Sequence, residues 1–308
     1  MTSDRRENLW AVVLAAGEGR RLAELTRALY GRDLPKQFAA IGDDRSLLQA
    51  TVERLVGFVP THRIVVVVGQ GQERIARAQL AGSYGVDLVV QPRNLETGPG
   101  VLLPLARVLA RDPSASVAIF PSDHYVPHPE PFLDGVSRAV AARERVTLLG
   151  VRPDEPESDY GWIVPGAPIG GGFHEVRGFV EKPEPDIAEG LLRAGGLWNT
   201  FVAAGSVEAF WKLALEHLPE QTRAFAPYVH EVDEPGERSE LERIYSRLKP
   251  ANFSRDVLER TDALAVLPID RAGWSDWGSP RRVFRSLEGS WRHRRLQDQL
   301  AGRELVAG

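Results

Sequence analysis

Short apolar runs alternate with amphipathic stretches along the first half of the chain. Four of the runs are continuous and rich in Val and Ile, which is typical of buried parallel strands. They are Trp10–Ala16, Arg63–Gly69, Val86–Gln91 and Val117–Pro121. The stretches with helical spacing between them are Leu47–Leu55, Gln72–Leu80 and Val101–Ala110. This alternation predicts an α/β fold with a doubly wound, mostly parallel sheet, whose ligand lies at the carboxyl ends of the strands.

The pattern changes after the apolar run Val146–Val151. Tyr160–Gly166 and Val176–Val180 flank a triple-glycine turn, and they predict short antiparallel strands over the ligand-binding face. Ala263–Ile269 predicts one more strand. The helical predictions are Ala188–Ala194, Val207–Leu218, one or two helices within Gln221–Leu248, and a charged helix over Arg281–Leu300. The interval Glu231–Glu240 is acidic and predicts a solvated loop.

Composition narrows the class of protein. The chain has 308 residues, enough for one large core. Its 38 Lys and Arg against 42 Asp and Glu give a net charge of -4, which does not favour a nucleic-acid partner. It has no cysteine, which excludes disulfides and thiol catalysis. No apolar signal region or membrane-length run occurs, so we expect a cytoplasmic protein without a membrane partner.

The segment after the first apolar run carries the strongest sign of chemistry. A buried strand that opens into Gly17–Gly19 presents backbone N–H groups that suit phosphate. Arg21 and Lys36 bring two cations to the same end of the sheet. Leu22 stands where a dinucleotide fingerprint needs glycine, and the Gly-Lys-Ser/Thr ending of a P-loop is absent. The segment predicts a site for a nucleoside triphosphate or a sugar phosphate, with a plain strand-to-helix turn as the alternative.

An aspartate at the end of a buried strand is the second candidate. Asp123 follows the apolar run that ends at Pro121, where a carboxylate costs free energy unless a charged group lies beside it. Mg²⁺ prefers carboxylate and phosphate oxygens together. We therefore expect Asp123 to bind a metal, with a turn or N-cap aspartate as the alternative. Its neighbour His124 is expected to form only a local hydrogen bond.

Over roughly residues 10–285, these segments resemble the sugar-1-phosphate nucleotidyltransferases. The similar positions begin with Leu14–Leu22 and continue through Thr26 to Leu34–Phe38, whose Pro-Lys-Gln-Phe ending is closest to the mannose-1-phosphate guanylyltransferase branch. Arg20 stands where that family often has Thr, so Arg21 takes the position of the motif's Arg. The resemblance implies one domain with a Rossmann-like nucleotidyltransferase fold. Its parts would be a nucleotide-binding half (10–150), a sugar-phosphate-binding half with a small antiparallel subregion (151–285) and a helical tail (286–308).

The resemblance also implies roles for individual residues. The implied catalytic residues are Arg21, Lys36 and Lys182. Those implied to bind the nucleotide are Leu14, Ala16, Gly17, Gly19, Gln91, Thr97, Gly98 and Ser122. Those implied to bind the sugar are Gly161, Glu181 and Asn199. The implied metal ligands are Asp123 and Asp276, which would hold Mg²⁺ or another divalent cation.

Two segments depart from the guanylyltransferase pattern. Gln91 and the pair Leu95-Glu96 replace a Glu and an Arg-Asn, and a glutamine there resembles the thymidylyl- and uridylyltransferases instead. Thr200-Phe201 replaces two small residues of the sugar motif. Asn252–Glu259 resembles the guanylyltransferases again, so the resemblance favours GTP.

The implied reaction joins GTP and mannose 1-phosphate to give GDP-mannose and pyrophosphate. One alternative is the same chemistry with dTTP or UTP and glucose 1-phosphate. Another is a catalytically silent subunit that senses nucleotide sugars. The expected partners are these small molecules, and a homodimer contact through Arg281–Leu300 stays open.

Overall fold

The structure is a computed structural model that describes residues 8–81 and 85–307. In these ranges nine strands form one sheet. The strands are β1 Leu9–Leu14, β2 Ile64–Gly69, β3 Asp87–Gln91, β4 Ser116–Pro121, β5 Val146–Val151, β6 Gly161–Gly170, β7 Phe173–Glu181, β8 Leu197–Ser206 and β9 Leu264–Ile269. The predicted runs at β1 to β5 and β9 are therefore strands, each within a few residues of the expected bounds.

The pattern predicted a mostly parallel sheet, but the sheet contains both parallel and antiparallel strand pairs. Its strand order is β3-β2-β1-β4-β8-β5-β9-β7-β6. The first four strands pair in parallel, and so do β5 and β9. β8, which the sequence did not predict as a strand, runs antiparallel between β4 and β5 and also pairs with β6. The predicted antiparallel strands are confirmed as the hairpin of β6 and β7, which joins the same sheet through β8 and β9.

Helices cover both faces of this sheet. Those before β6 are α1 Ala23–Tyr30, α2 Leu47–Leu55, α3 Glu73–Leu80, α4 Thr97–Arg111 and α5 Pro129–Ala141. Those after it are α6 Pro185–Arg193, α7 Val207–His217, α8 Pro219–Phe225, α9 Glu237–Arg247, α10 Phe253–Asp256, α11 Pro280–Leu287 and α12 Trp291–Ala307. None of the helices in the described ranges is long and apolar enough to span a membrane.

The alternation of side chains along β1 shows how the two layers form. Successive residues of a strand point to opposite faces. Leu9, Ala11 and Val13 pack in the core that includes α1, α2 and α5, whereas Trp10 and Val12 pack in the core that includes α4 and α7. Both faces of the strand are therefore buried, as its continuous apolar run predicted.

The prediction of the last helix and that of the acidic loop need correction in detail. The single helix expected over Arg281–Leu300 is α11 and α12, because Gly289 adopts a left-handed conformation with φ of 73° just after α11 and ends it. The region Gln221–Leu248 holds parts of two α-helices, α8 and α9, and α9 begins inside the expected acidic loop, at Glu237. The last residue of the expected tail, Gly308, lies outside the described residues.

Candidate active site

A cavity of about 430 Å³ lies at the carboxyl ends of β1 and β4. Most of the residues singled out in the sequence line it. They are Leu14, Ala16, Gly17, Arg21, Gln91, Thr97, Ser122, Asp123, Gly161, Glu181, Lys182, Asn199 and Asp276. The other three candidates, Gly19, Lys36 and Gly98, are not among the lining residues. The roles assigned to all of these candidate residues, whether or not they line the cavity, stay predictions.

The glycine loop is held in place by two glutamine side chains. Nε2 of Gln37 donates to the carbonyl oxygens of Ala15 and Gly17, at 2.8 and 2.6 Å, and Nε2 of Gln72 donates to the Gly17 oxygen at 2.9 Å. Gly19 has a φ of 62°, and a Cβ there would overlap the backbone nitrogen of Lys36. The short helical turn that follows Pro35 therefore packs directly on the loop. Gln37 was missed as a site residue, although its place in the Pro-Lys-Gln-Phe motif was a signal.

Lys36 connects the two aspartate loops from inside the protein. Its side chain is only 4% exposed. Nζ forms an ion pair with Asp123 Oδ2 at 3.0 Å and donates to the carbonyl oxygens of Asp276 and Trp277. A single ammonium therefore connects the end of β4 to the segment after β9, and Lys36 is not among the residues that line the cavity.

Asp276 is held by donors on both of its carboxylate oxygens. Oδ1 accepts from the Tyr160 hydroxyl at 2.8 Å, the Gly278 N–H at 2.8 Å and Nη1 of Arg282 at 3.0 Å. Nη1 of Arg21 lies 3.2 Å from Oδ2. Tyr160 and Arg282 were not predicted as part of the site, because nothing in their local sequence links them to Asp276.

Both aspartates are charged at neutral pH. Burial alone would raise the pKa of Asp123, but the ammonium of Lys36 outweighs it and holds that pKa below its usual range. Burial likewise opposes ionisation of Asp276, and Lys36 together with Arg282 and Arg21 keeps its pKa low. The cavity therefore contains two carboxylates whose charge is balanced by cations of the protein.

This pair of carboxylates fits a metal that shares its ligands with a substrate. No group of three or more His, Cys, Asp or Glu side chains that could hold a metal ion occurs within residues 8–81 and 85–307. Mg²⁺ is often bound by one or two carboxylates together with substrate phosphates. Oδ1 of Asp276 already accepts three hydrogen bonds, so Oδ2 and the Asp123 carboxylate are the oxygens suited to such an ion.

His124 is neutral and fixed in one tautomer. Burial lowers its pKa to about 4. Its Nδ1 accepts from the Trp274 indole N–H at 3.1 Å, so the ring proton is assigned to Nε2, which lies 3.7 Å from Asp123 Oδ1. The histidine forms the local hydrogen bond that was expected, and it adds a second connection between the two aspartate loops.

The opposite wall of the cavity comes from the β6–β7 hairpin and β8. Gly161 lies directly across from Glu181, and a Cβ on it would approach Oε2 of Glu181 to 2.8 Å. Burial raises the pKa of Glu181. The N–H of Lys182 donates to the carbonyl of Tyr160 at 3.1 Å. Oδ1 of Asn199 accepts from the backbone N–H two residues further on, at 3.1 Å, which orients the amide.

The remaining wall begins at the end of β3. Oε1 of Gln91 accepts from the Tyr245 hydroxyl at 3.1 Å, so the Nε2 group is its donor toward a ligand. Thr97 Oγ1 accepts from the Phe253 N–H at 2.8 Å. The Gly98 N–H donates to a carbonyl at 2.7 Å, and a Cβ there would lie 2.8 Å from that oxygen, so Gly98 serves close packing. Asn94, Glu96 and Asn252 are among the further lining residues to which the sequence assigned no role.

Four residues other than glycine adopt left-handed backbone conformations at the site. Their φ angles are 64° at Glu96, 51° at Lys182, 60° at Phe201 and 47° at Trp277. Such conformations cost free energy in residues with a Cβ and persist where the surrounding structure holds them. Three of these residues line the cavity, and the fourth directly follows Asp276.

A glycine loop and two charged aspartates at the carboxyl edge of an α/β sheet form the arrangement expected of a phosphate-binding site. Residues 10–288 match the profile of the nucleotidyl transferase family, and the chain belongs to that family. It is 30% identical over 292 residues to mannose-1-phosphate guanylyltransferase 2 of Escherichia coli O157:H7, covering 87% of this chain and 58% of that protein. The corresponding values for ManC of Salmonella typhimurium are 30%, 89% and 58%. The chain thus spans less than two thirds of the length of these relatives.

Solved structures share the fold. The crystal structure described as mannose-1-phosphate geranyltransferase from Thermus thermophilus superposes with a TM-score of 0.80 at 30% identity, covering 92% of this chain and 80% of that one. UDP-glucose pyrophosphorylase complexed with UDP-glucose is more distant, with a TM-score of 0.55 at 15% identity. The superposition covers 95% of this chain and 98% of that one, and at this identity the similarity shows only that the fold is shared.

Proposed function

We propose that the protein transfers the nucleoside monophosphate of GTP to mannose 1-phosphate, giving GDP-mannose and pyrophosphate. The observation that carries the proposal is the pair Asp123 and Asp276, which line one cavity and are connected to each other by the buried ammonium of Lys36. The glycine loop and β3 form one wall, and the β6–β7 hairpin and β8 form the other. The names of the relatives at 30% identity support the choice of substrates.

The two walls suggest where each substrate binds. The nucleotide would lie against residues 10–150, with its phosphates on Gly17 and its base near the Nε2 donor of Gln91. The sugar phosphate would lie against residues 151–285, where Glu181 and Asn199 would meet the hydroxyl groups. Gly161 lets the Glu181 carboxylate lie close to the backbone, because a Cβ there would approach Glu181 Oε2 to 2.8 Å.

The reaction requires charge neutralisation and alignment. An oxygen of the sugar phosphate attacks the α-phosphorus in line, and pyrophosphate leaves without a covalent enzyme intermediate. Arg21 and Lys182 are the cations that line the cavity, and they would bind the triphosphate and the attacking phosphate. Lys36 would act indirectly, because its ion pair with Asp123 holds that carboxylate in place. Asp123 and Asp276 would hold Mg²⁺, which supplies further neutralisation of phosphate charge when bound.

A substrate panel tests the proposal. Pyrophosphate release is measured with Mg²⁺ for five nucleoside triphosphates (GTP, dTTP, UTP, CTP and ATP), each paired with mannose 1-phosphate and glucose 1-phosphate. Release confined to GTP and mannose 1-phosphate is expected. Release with dTTP or UTP and glucose 1-phosphate would show that the protein carries out the same reaction with other substrates. Gln91 favours this alternative. Binding of nucleotide sugars without any release would establish a silent sensing subunit instead.

The close packing of Glu181 and Phe179 against Gly161 gives a sharper test of the sugar wall. A Cβ at Gly161 would approach Glu181 Oε2 to 2.8 Å and the Phe179 ring to 2.9 Å. Gly161→Ala is therefore expected to raise the KM of the sugar phosphate by about tenfold, as loss of a well-placed hydrogen bond would. The KM of the nucleotide should not change. Steady-state kinetics with each substrate varied in turn measures both constants.

The matched control is Gly178→Ala on the neighbouring strand. A Cβ at Gly178 would meet only the Val164 side chain, at 3.9 Å, which is ordinary contact. Both constants should stay near those of the unaltered protein in this control. A rise in the nucleotide KM of Gly161→Ala, with the sugar-phosphate KM unaffected, would place the sugar elsewhere.

A further inference from the structure

A second cavity, of about 480 Å³, lies on the far side of the aspartate loops. His124, Tyr125 and Trp277 form one wall, and these residues directly follow the two aspartates in sequence. The opposite wall comes from α2 and from the first residues of α12. Apart from His124, the residues lining it differ from those of the candidate active site.

Arg54 on α2 enters this cavity without a charged partner. Its guanidinium lies over the Phe132 ring, 5.5 Å from the centroid. Across the described parts of the chain, no carboxylate or carbonyl oxygen pairs with it, and burial lowers its pKa to about 10. The other two arginines of the cavity are paired, Arg45 with Glu53 at 2.8 Å and Arg292 with Asp43 at 2.6 Å.

An unpaired guanidinium inside a protein costs free energy. Because its neighbours neutralise each other, Arg54 gives this cavity one positive charge in excess. Such a residue is retained at a cost to stability, which is expected where it binds a ligand of opposite charge.

The N-terminus of α12 is an independent feature of the same cavity. This helix has 17 residues, and its first two, Trp291 and Arg292, line the cavity. The first N–H groups of a helix have no partner within the helix, and the helix dipole favours an anion there. Ser290 Oγ accepts from the third of these groups, that of His293, at 3.3 Å, so the N–H groups of Trp291 and Arg292 are the donors for a ligand. Helix N-termini are common sites for phosphate for this reason. Trp291, which is 52% exposed, adds an apolar surface at the same place.

We propose that this second cavity binds the phosphate group of a small phosphorylated molecule, with Arg54 and the N-terminus of α12 as the donors. The volume exceeds that of a phosphate ion, so an organic group would lie beside Trp291. Arginine is suited to the role because its planar fork donates two parallel hydrogen bonds to phosphate oxygens.

A ligand in this cavity would contact the residues that fix the spacing of the two aspartate loops. Tyr125 and Ser275 exchange backbone hydrogen bonds of 2.8 and 3.0 Å, so the loops are joined directly. The Tyr125 ring stacks on Trp277 with centroids 4.5 Å apart. This contact gives an occupant of the second cavity a direct physical connection to the candidate active site.

The test titrates the full-length protein with inorganic phosphate in a calorimeter. The unaltered protein is compared with Arg54→Met, with Arg21→Met in the candidate active site, and with Arg77→Met, which removes an exposed surface arginine paired to Glu73. Arg54→Met is expected to weaken phosphate binding by about tenfold or more, the loss of one charge-assisted contact. The two other variants should retain this binding event.

Several outcomes would overturn the proposal. No binding by the unaltered protein would do so, and so would equal binding by Arg54→Met. Loss of all binding in Arg21→Met would place the phosphate in the candidate active site instead. None of these outcomes depends on whether the protein makes GDP-mannose, so this test and the substrate panel fail separately.

Thermal unfolding separates a binding role of Arg54 from a structural one. Methionine has a similar length and no charge to bury, so Arg54→Met is expected to unfold at the same temperature as the unaltered protein or higher. A Tm several degrees lower, together with weaker phosphate binding, would make Arg54 a structural residue and would contradict the proposal.

Discussion

The substitution Asp123→Asn is expected to lower kcat/KM by about 10²–10³-fold, as removal of one electrostatic group from an active site does. Asp123 lines the cavity, and Lys36 holds its pKa low, so the group that substrates meet is a carboxylate. Asparagine keeps the shape but loses the charge that a divalent cation requires. The backbone carbonyls of the Asp276 loop still accept from the ammonium, so the fold should persist.

Pyrophosphate release under saturating Mg²⁺ measures this effect, and circular dichroism checks the fold. The matched control is Asp134→Asn, which removes a carboxylate from an exposed position on α5 and should leave turnover unchanged. Full activity of Asp123→Asn would show that the chemistry does not use this carboxylate, and the assignment of a metal to it would fail.

Substitution of Lys36 is expected to damage both activity and stability. Methionine removes a buried ammonium that neutralises Asp123 and binds two carbonyl oxygens of the other aspartate loop. Breaking a buried ion pair by removing one partner costs about 3–5 kcal/mol. Because Lys36 also sets the position and pKa of Asp123, kcat/KM should fall by at least as much as in Asp123→Asn.

Lys36→Arg distinguishes the role of the positive charge from the role of the side chain's shape. The side chain of Lys36 is 4% exposed and wedged between two loops, so a planar guanidinium does not fit its place. Arginine should therefore restore little activity. Denaturant unfolding and turnover are both measured, with Lys212→Met and Lys212→Arg as controls at a position on α7 away from the cavity. Normal stability of Lys36→Met would show that the two loops do not depend on this connection.

The sequence predicted those parts of the fold that local pattern determines. β1, β2 and β4 are buried on both faces, so each appears as a continuous apolar run. The glycine loop and Asp123 were found because they follow such runs directly. Parallel strands end at one edge of the sheet, so position along the chain was enough to bring these residues to one site.

β8 was missed because its sequence does not resemble a typical strand. Its second half, Ala203-Ala204-Gly205, has small residues of low strand propensity. The strand is stabilised by neighbours on both sides, which pair with it from distant parts of the chain. Tertiary pairing therefore overrides local preference, and no local pattern could show it.

The supporting residues of the site were missed for a related reason. Lys36 was expected to line the cavity, but it is not among the lining residues. A sequence does not show on which side of a loop a side chain lies. Tyr160 and Arg282 bind Asp276 from other parts of the chain. The left-handed backbone at Phe201 was also unpredictable, because residues with a Cβ disfavour that conformation unless the tertiary structure holds it.

The central position of β8 also affects how the protein is made. During synthesis β1 to β4 can pair as soon as they leave the ribosome, but the outer edge of β4 stays open until β8 has followed. β5 has no neighbour at all before β8 and β9 emerge. Open strand edges invite pairing with other chains. These inner edges of β4 and β5 are therefore all covered only after the segment Leu264–Ile269 has been translated.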